Sequence, residues 1–261
     1  MIFEISSTSN KKYKYIKSLR QKKNRTAQRL FCVEGIKSVR DALRSDFVIE
    51  CAAICKSRDE YIGILSEAAG GDTDIYVTDD NIFAGLCDTQ TPQGILCVMR
   101  MPEREPDYSP GKKYVYCDRI TDPGNLGTII RTADAGGIDG ILLSPGCVDL
   151  YSPKTVRSSM GSFFHIPVRE NVTIRELAVF SEKGYRILSA VLGENAIDYR
   201  SADYSGSVII ALGNEANGIC EELKQITSQF IKIPVLGKAE SLNVSIAGAI
   251  LIYEIVRNTQ K

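Results

Sequence analysis

Short runs of apolar and β-branched residues alternate along the chain with longer stretches in which apolar positions recur every three or four residues. The short runs are typical of buried strands, and the longer stretches are typical of helices that pack on a sheet. Over residues 1–100 the pattern predicts strands that end near Glu34, Cys55, Val77 and Met99, with helices between them. This alternation predicts a small α/β domain with its own sheet.

The alternation resumes after residue 112. The predicted strands are Tyr114–Cys117, Gly140–Leu143, Arg186–Val191, Val208–Leu212 and Phe230–Val235. The predicted helices are Asn125–Ala135, Pro153–Met160, Thr173–Lys183 and Asn243–Val256. Residues 101–112 contain three prolines and one glycine, which predicts a linker. The chain is therefore expected to have an α/β fold with domains at 1–100 and 113–261, the second built on a parallel sheet.

Polar turns follow the late strands of the second domain. Gly213-Asn214-Glu215 and then Gly218 come directly after the predicted strand Val208–Leu212. Ser241-Leu242-Asn243 opens the last helix, with Asn243 as its expected N-cap. Such turns occur in many α/β domains, and Gly-x-Glu-x-x-Gly alone is a weak signal. Their position at the carboxyl ends of strands nevertheless predicts a ligand site, because open α/β sheets bind ligands at that edge.

Three segments together carry a specific resemblance. They are Asn125-Leu-Gly-Thr-Ile-Ile-Arg131-Thr-Ala133, then Gly213-Asn-Glu-Ala-Asn-Gly218, then Ser241-Leu-Asn-Val-Ser-Ile-Ala247 after Ile233-Pro234. In type, order and spacing they resemble the motifs of the SpoU (TrmH) family of RNA 2′-O-ribose methyltransferases. The resemblance covers residues 112–261 well and the N-terminal part less sharply. It implies a trefoil-knotted SPOUT-type catalytic domain after a ribosomal-protein-like, RNA-binding substrate domain.

The resemblance also implies the cofactor S-adenosylmethionine. Backbone groups would hold it in the knotted turns at Leu212, Gly213, Gly218, Ile233 and Leu242. Gly213 would be small because a side chain there would obstruct the ligand. The resemblance implies that Arg131 lies at the ribose 2′-hydroxyl and acts as the base.

Arginine does not readily lose a proton. The interpretation that follows from the residue itself is therefore that Arg131 binds the substrate phosphate and steers the alkoxide. The alternative is a surface arginine in an ion pair on its helix. Asn125, Glu215, Ser241 and Asn243 are carried over as a polar shell, in which Asn125 would cap its helix and orient Arg131.

Charge is distributed unevenly near the N-terminus. Nine basic residues and no acidic residue occur from Lys11 to Arg29, although the net charge of the whole chain is zero. The run is either a solvated helix face or a nucleic-acid contact, and phosphates would supply the missing countercharge. The predicted RNA-binding residues are Lys11, Lys12, Lys14, Lys17, Arg20, Lys22, Lys23 and Arg25.

Several other classes of protein are disfavoured. A dinucleotide-binding Gly-x-Gly-x-x-Gly after a strand and a P-loop are both missing. A lone histidine, His165, without motif partners gives no support for a hydrolase triad. The eight cysteines form no Cys-x-x-Cys pair, so we expect reduced thiols, no metal site and a cytoplasmic location. No apolar run reaches the ~20 residues of a membrane span.

Two functions from different classes stay open. One is an S-adenosylmethionine-dependent RNA 2′-O-methyltransferase, and the other is a non-catalytic RNA-binding protein with the same fold. The extra N-terminal domain suits a large structured target, so ribosomal RNA is favoured over transfer RNA and no DNA partner is expected. A housekeeping and a resistance methylase both fit. The last helix is apolar on more than one face, which predicts a homodimer.

Overall fold

The computed structural model describes residues 1–68, 73–103 and 107–259, and these form two compact units. The first unit contains residues 1–103 and 151–164, and the second contains residues 104–150 and 165–261. The segment Tyr151–Phe164, which the sequence pattern put in the second domain, is thus grouped with the first unit. The rings of Tyr151 and Phe163 pack against Phe31 there, at centroid distances of 5.0 and 5.5 Å. Residues 104–106 of the predicted linker lie outside the described residues.

Strands and helices follow the predicted alternation closely. The strands are β1 (Ile2–Ile5), β2 (Leu30–Glu34), β3 (Ile49–Cys55), β4 (Asp74–Thr78), β5 (Ile95–Arg100), β6 (Lys113–Cys117), β7 (Gly140–Leu143), β8 (Val168–Arg169), β9 (Arg186–Ala190), β10 (Ile197–Asp198), β11 (Val208–Leu212) and β12 (Gln229–Lys232). The helices are α1 (Lys11–Ser18), α2 (Lys22–Gln28), α3 (Ile36–Leu43), α4 (Tyr61–Ala68), α5 (Asp80–Ala84), α6 (Pro123–Ala135), α7 (Pro153–Ser158), α8 (Ile174–Glu182), α9 (Glu221–Ile226) and α10 (Val244–Thr259).

The first unit is built on a five-stranded mixed sheet. Its order is β1-β4-β3-β5-β2, and β5 runs antiparallel to both of its neighbours. The edge strand β1 was not predicted from sequence, because three of its four residues are exposed and carry no burial pattern. Tyr13, Ile16 and Leu19 recur every three residues and are buried in the core of this unit. That spacing fixes which face of α1 turns toward the sheet.

The second unit is built on a seven-stranded sheet in which every pair of neighbours is parallel. Its order is β10-β12-β9-β11-β6-β7-β8. The prediction of a parallel α/β sheet is therefore confirmed. The central strands β11 and β6 are buried along their whole length, as expected for a parallel sheet covered on both faces. This order places the carboxyl ends of β9, β11 and β12 side by side.

Helix α10 packs against α6 and β11. Gly248 makes the close approach possible, because a Cβ there would lie 2.8 Å from Cδ1 of Leu212. At the end of α6, a Cβ on Gly136 would lie 2.7 Å from Cγ2 of Ile252. Both glycines are therefore required by the packing of α10, which brings the third motif beside the first.

Within the described residues, no helix is long and apolar enough to cross a membrane, and no cluster of side chains is suited to hold a metal ion. All eight cysteines are free thiols, and six of them are buried. Burial raises the pKa of the Cys51 thiol to about 11. The buried cysteines therefore act as small apolar core residues rather than as nucleophiles.

Candidate functional site

A cleft of about 810 Å³ opens at the carboxyl ends of β9, β11 and β12. This volume suits a ligand of cofactor size. Its lining includes all five residues predicted to hold the cofactor: Leu212, Gly213, Gly218, Ile233 and Leu242. Val235 and Leu251 add apolar surface to the wall. The polar turns recognised in the sequence therefore converge on one cavity.

The loop after β11 is closed on itself at the mouth of the cleft. Asn214 and Gly218 exchange two backbone hydrogen bonds, with N···O distances of 3.0 and 2.9 Å. A Cβ on Gly213 would lie 2.3 Å from the carbonyl carbon of Gly218 and 2.5 Å from the nitrogen of Ile219. We expected Gly213 to be small in order to admit the ligand. The first obstacle that a side chain would meet is instead the returning strand of its own loop.

Asn214 holds this loop in place, a role that sequence reasoning missed. Its Oδ1 accepts hydrogen bonds from the backbone nitrogens of Ala216 and Asn217, at 3.0 and 3.1 Å. Its Nδ2 donates to the carbonyl oxygen of Arg119 at 2.8 Å. The side chain therefore joins the second motif to the loop that precedes α6. The Asn-Glu-Ala-Asn sequence, typical of an Asx turn, was the available signal.

The three motifs are joined by a chain of side-chain hydrogen bonds. Asn125 of the first motif donates from Nδ2 to Oε1 of Glu215 in the second, at 2.9 Å. Asn243 of the third motif donates from Nδ2 to Oδ1 of Asn125, at 3.0 Å. The predicted polar shell thus brings Asn125, Glu215 and Asn243 into contact. The expectation that Asn125 caps its own helix was wrong, because Asp122 is the N-cap and accepts from the Asn125 backbone nitrogen at 2.8 Å.

Glu215 is held in its charged form. Burial raises its pKa, but hydrogen bonds from the Asn125 side chain and from neighbouring backbone groups outweigh burial, so the pKa lies below its ordinary value of 4.5. A carboxylate only accepts hydrogen bonds. Near neutral pH, Glu215 is therefore an acceptor that orients Asn125 rather than a proton donor.

The start of α10 confirms one predicted cap. Oδ1 of Asn243 accepts from the backbone nitrogen of Ser245 at 2.9 Å and from its hydroxyl at 2.6 Å. Ser241 lines the cleft and is exposed. Its hydroxyl has no hydrogen-bond partner among the described residues, so it is available to a ligand.

Arg131 lies on α6 and is exposed. Its guanidinium forms no ion pair or hydrogen bond with the part of the chain that the structure describes. The structure therefore contradicts the alternative in which Arg131 forms an ion pair on its own helix. Arg131 is also not part of the cleft lining, whereas Glu215, Ser241 and Asn243 are. It is thus a cation free to meet an anionic partner outside the cleft.

One wall of the cleft escaped the sequence analysis. Ala190, which ends β9, and residues 191–196, which follow it, also line the cleft. They carry no motif of the resembled family, but Gly193-Glu194-Asn195 is a polar turn after a predicted strand. The rule that ligands bind at the carboxyl ends of strands could have identified this turn as well.

The basic stretch of the first unit forms two helices rather than one. Asn10 caps the start of α1. The helix ends at Ser18, and residues 19–21 form a non-helical connection before α2 begins at Lys22. The predicted RNA-binding side chains that are exposed are those of Lys11, Lys14, Lys17, Arg20, Lys22 and Lys23. Lys12 is half-buried, with its ammonium 5.1 Å from the ring centre of Tyr15 and 5.3 Å from that of Tyr76.

Arg25 does not belong to this exposed set. Only 4% of it is exposed, and its Nη1 donates to the carbonyl oxygens of Leu19 and Arg20, both at 2.7 Å. These carbonyls end α1, where backbone acceptors lack helical partners. The prediction that Arg25 contacts RNA was therefore wrong, because its guanidinium fastens the corner between α1 and α2.

Two models of known protein families match this chain. The sequence model of the SpoU rRNA Methylase family matches residues 112–253. The chain belongs to this family. A second model, described as an MRM3-like substrate binding domain, matches residues 10–97. The SpoU match contains all three motifs and the whole cleft lining, and the second match contains α1 and α2.

Relatives resemble the chain over nearly its full length. The 23S rRNA (guanosine(2553)-2′-O)-methyltransferase RlmP of Bacillus subtilis is 36% identical over 97% of this chain and 98% of its own. A crystal structure of an AdoMet-bound rRNA methyltransferase from Sinorhizobium meliloti is 31% identical, with a TM-score of 0.90 over 98% of both chains. The SpoU methyltransferase AviRb of Streptomyces viridochromogenes, solved with AdoMet, is 25% identical, with a TM-score of 0.85 over 97% of this chain and 99% of its own.

Proposed function

We propose that this SpoU-family protein transfers a methyl group from S-adenosylmethionine to a ribose 2′-hydroxyl of ribosomal RNA. The observation that carries the proposal is the hydrogen-bonded chain Glu215–Asn125–Asn243 at a cleft lined by the cofactor residues. It joins all three family motifs, and each motif is complete in this chain. The names of two full-length relatives support the same substrate class, since one is a 23S rRNA 2′-O-methyltransferase and the other is an rRNA methyltransferase.

The cleft fits the cofactor in size and chemistry. Leu212, Ile233 and Leu242 offer apolar surface for a flat base together with backbone groups that can bind its polar edge. The paired backbone groups of Asn214 and Gly218 keep the loop after Leu212 in a single arrangement. S-adenosylmethionine, when bound, supplies a sulfonium methyl that is already activated for transfer.

The protein's own task is then to position the hydroxyl and assist loss of its proton. Arg131 is the residue that we assign to this task, as a cation that binds the substrate phosphate and stabilises the developing alkoxide while the hydroxyl proton passes to solvent water. The hydrogen bond between Asn125 and Asn243 holds α6 and α10 together beside the cleft. Ser241 offers a free hydroxyl at the edge of the cleft. Glu215, as a carboxylate, fixes the orientation of the Asn125 amide.

RNA would be recruited by the exposed basic side chains of α1 and α2. Lys11, Lys14 and Lys17 recur every three residues, which puts them on one face of α1. No residue between Lys11 and Arg29 is acidic, so phosphates are well suited to balance this charge. The match of residues 10–97 to a substrate-binding domain supports this assignment.

The direct test is an assay with purified protein, transcribed 23S rRNA and labelled S-adenosylmethionine, followed by mapping of 2′-O-methyl groups. We expect one modified nucleotide in 23S rRNA and none in a bulk transfer RNA pool. Methylation of transfer RNA alone would contradict the ribosomal substrate. Calorimetry separates the second candidate, since a non-catalytic RNA-binding protein with no cofactor affinity would release no heat on titration with S-adenosylmethionine.

Three further features belong to the proposal. A trefoil knot is supported by the return of the chain from β12, near the sheet edge, to α10, which packs against central β11. A homodimer through α10 is supported by the exposed apolar side chains of Ile246 and Tyr253. A cytoplasmic location is supported by eight free cysteines, because thiols persist where the compartment is reducing.

A further inference from the structure

Arg119, in the loop after β6, is held more tightly than an exposed arginine usually is. Its backbone nitrogen donates to Oγ of Ser144 at 2.8 Å, and its carbonyl oxygen accepts from Nδ2 of Asn214 at 2.8 Å. Its Nε and Nη2 donate to the two oxygens of Asp118, both at 3.1 Å. The main chain and the side chain of Arg119 are therefore both fixed before any ligand arrives.

The backbone of Arg119 is left-handed, with φ of +55°. Residues other than glycine adopt this region at an energetic cost, and such strained positions concentrate at functional sites. The neighbouring loop accommodates the side chain, since a Cβ on Gly146 would lie 3.5 Å from Cγ of Arg119. An arginine where glycine would be unstrained indicates that the guanidinium is needed at this place.

The partner of Arg119 is itself part of the motif framework. The Asp118 side chain is 2% exposed and accepts from the backbone nitrogen of Cys220 at 2.7 Å. One carboxylate thus braces Arg119 and the end of the loop after β11 together. This pairing uses Nε and Nη2, and Nη2 also lies 3.4 Å from the carbonyl oxygen of Gly218. Nη1 has no hydrogen-bond partner among the described residues, although 38% of the side chain is exposed.

The position of Arg119 in the sheet indicates what it would meet. The loops after β6, β7 and β11 supply Arg119, Ser144 and Asn214, and these three strands are neighbours at the carboxyl edge. The cofactor cleft is formed on the other side, by the loops after β9, β11 and β12. Arg119 is not in the cleft lining and precedes α6, which carries Asn125 and Arg131. Arg119 therefore lies on the side of the loop after β11 that is away from the cofactor cleft. It precedes the helix whose Arg131 we assign to the substrate phosphate.

We infer that Arg119 is a preorganised binding site for a backbone phosphate of the substrate RNA, next to the methylated nucleotide. The inference rests on the proposed function. A guanidinium held in a fixed plane loses little side-chain entropy when it binds a phosphate oxygen through its remaining N–H groups. Asp118 sets the orientation of the guanidinium. Asn214 links the backbone of Arg119 to the loop at the cofactor cleft.

The test compares Arg119→Gln with wild type in RNA binding across a range of salt concentrations. The probe is a transcribed 23S rRNA domain that contains the nucleotide mapped for wild type. We expect the slope of log affinity against log salt to fall by roughly 0.7–0.9, the change that removal of one phosphate contact produces. Arg119→Lys should keep most of the slope, since it retains the cation. S-adenosylmethionine affinity should stay within about threefold of wild type, because Arg119 lies outside the cleft.

Arg200→Gln is the matched control. Arg200 also forms two bonds from its guanidinium to one aspartate, Asp198, at 2.9 and 2.6 Å, but it follows the edge strand β10. Its removal deletes the same charge and the same type of ion pair from the same unit. The slope for Arg200→Gln should match wild type. An equal fall in both variants would show a general charge effect and overturn the assignment.

Arg119→Gly guards against misfolding, since glycine suits φ of +55°. It should bind RNA with the same reduced slope as Arg119→Gln. A wild-type slope in a folded Arg119 variant would reduce Arg119 to a brace for Asp118 and overturn the inference. A loss confined to S-adenosylmethionine affinity would identify the cofactor carboxylate as the anion and overturn it too. If wild type itself methylates no RNA, the proposed function fails first, and the two failures are told apart.

Discussion

At the scale of single residues, amides make the connections between motifs. Asn125 both donates to Glu215 and accepts from Asn243, which a carboxylate or an ammonium could not do. Asn214 uses both ends of its amide in the same way, toward its own loop and toward Arg119. The sequence identified Asn125, Glu215 and Asn243 as a set, but not which of them bond to each other. Those partners depend on how α6 and α10 meet, which no local pattern contains.

An exchange of groups tests the link between Asn125 and Glu215. Asn125→Asp replaces the donor with a carboxylate facing Glu215, and should lower both methyl transfer and the free energy of unfolding. Glu215→Gln in that background restores a donor and acceptor pair with the order reversed. Chemical denaturation of both single variants and the double variant should give a favourable coupling of roughly 0.5–3 kcal/mol. Additive effects would mean that the contact contributes nothing specific.

Arg131→Ala should separate catalysis from stability. An exposed side chain without protein partners contributes little to folding, so we expect a change in unfolding free energy below about 0.5 kcal/mol. Methyl transfer should fall by ~10²–10³, the usual effect of removing one group that stabilises the transition state. S-adenosylmethionine affinity by calorimetry should be nearly unchanged. Arg175→Ala, which removes an exposed arginine of α8, is the control. Turnover of Arg131→Ala at the wild-type rate would exclude Arg131 from the mechanism.

At the scale of elements, charge and burial divide the basic stretch into two roles. Its apolar positions at Tyr13, Ile16 and Leu19 face the core, so the lysines between them are turned outward. The sequence supports that division for α1 because the spacing is regular. It could not identify Arg25 as buried, since nothing in a run of cations indicates which one meets the free carbonyls at the end of a helix.

Substitution of Arg25 should affect the stability of the fold, whereas substitution of the exposed lysines should affect RNA binding. Arg25→Gln should destabilise the protein by about 1–3 kcal/mol, because it leaves the carbonyls of Leu19 and Arg20 without their donor. Glutamine at Lys11, Lys14 and Lys17 together should leave the melting temperature near that of wild type. The triple variant should instead flatten the salt dependence of RNA binding, with a slope smaller by roughly 0.7–0.9 for each lysine that binds a phosphate. Lys37→Gln, on α3, is a single-charge control, and an unchanged slope in the triple variant would make α1 a solvated face only.

At the scale of the whole molecule, the pattern of apolar runs predicted both sheets and the parallel order of the second. Strands such as Val208–Leu212 are predicted well because continuous burial needs continuous apolar sequence. The grouping of Tyr151–Phe164 with the first unit was not predicted. It depends on aromatic contacts to Phe31, which is distant in sequence. The contribution of residues 190–196 to the cleft was missed for a similar reason, because only the folded sheet brings them to the same cleft as the second motif.

The exposed face of α10 leads to the prediction of a homodimer. We expected this helix to be apolar on more than one face, and one of these faces is covered within the chain, since Ile252 is buried beside Gly136 at the end of α6. The other face is only partly covered by the described residues, since Ile246 is 50% and Tyr253 53% exposed, and Ile250 between them is half-buried. A second copy of the same face would cover these side chains, because a two-fold axis pairs each patch with itself.

Light scattering tests this association directly. The chain has a mass of 28.7 kDa, so the dimer should have twice that mass at micromolar concentration. Ile250→Glu should yield the monomer, because burying a carboxylate in an apolar contact without a partner is strongly unfavourable. Val179→Glu is the matched control, an apolar residue on α8 that is 37% exposed and should leave the mass unchanged. A wild-type mass near 28.7 kDa at every concentration would contradict the dimer. A dimeric Ile250→Glu variant would place the contact elsewhere than on α10.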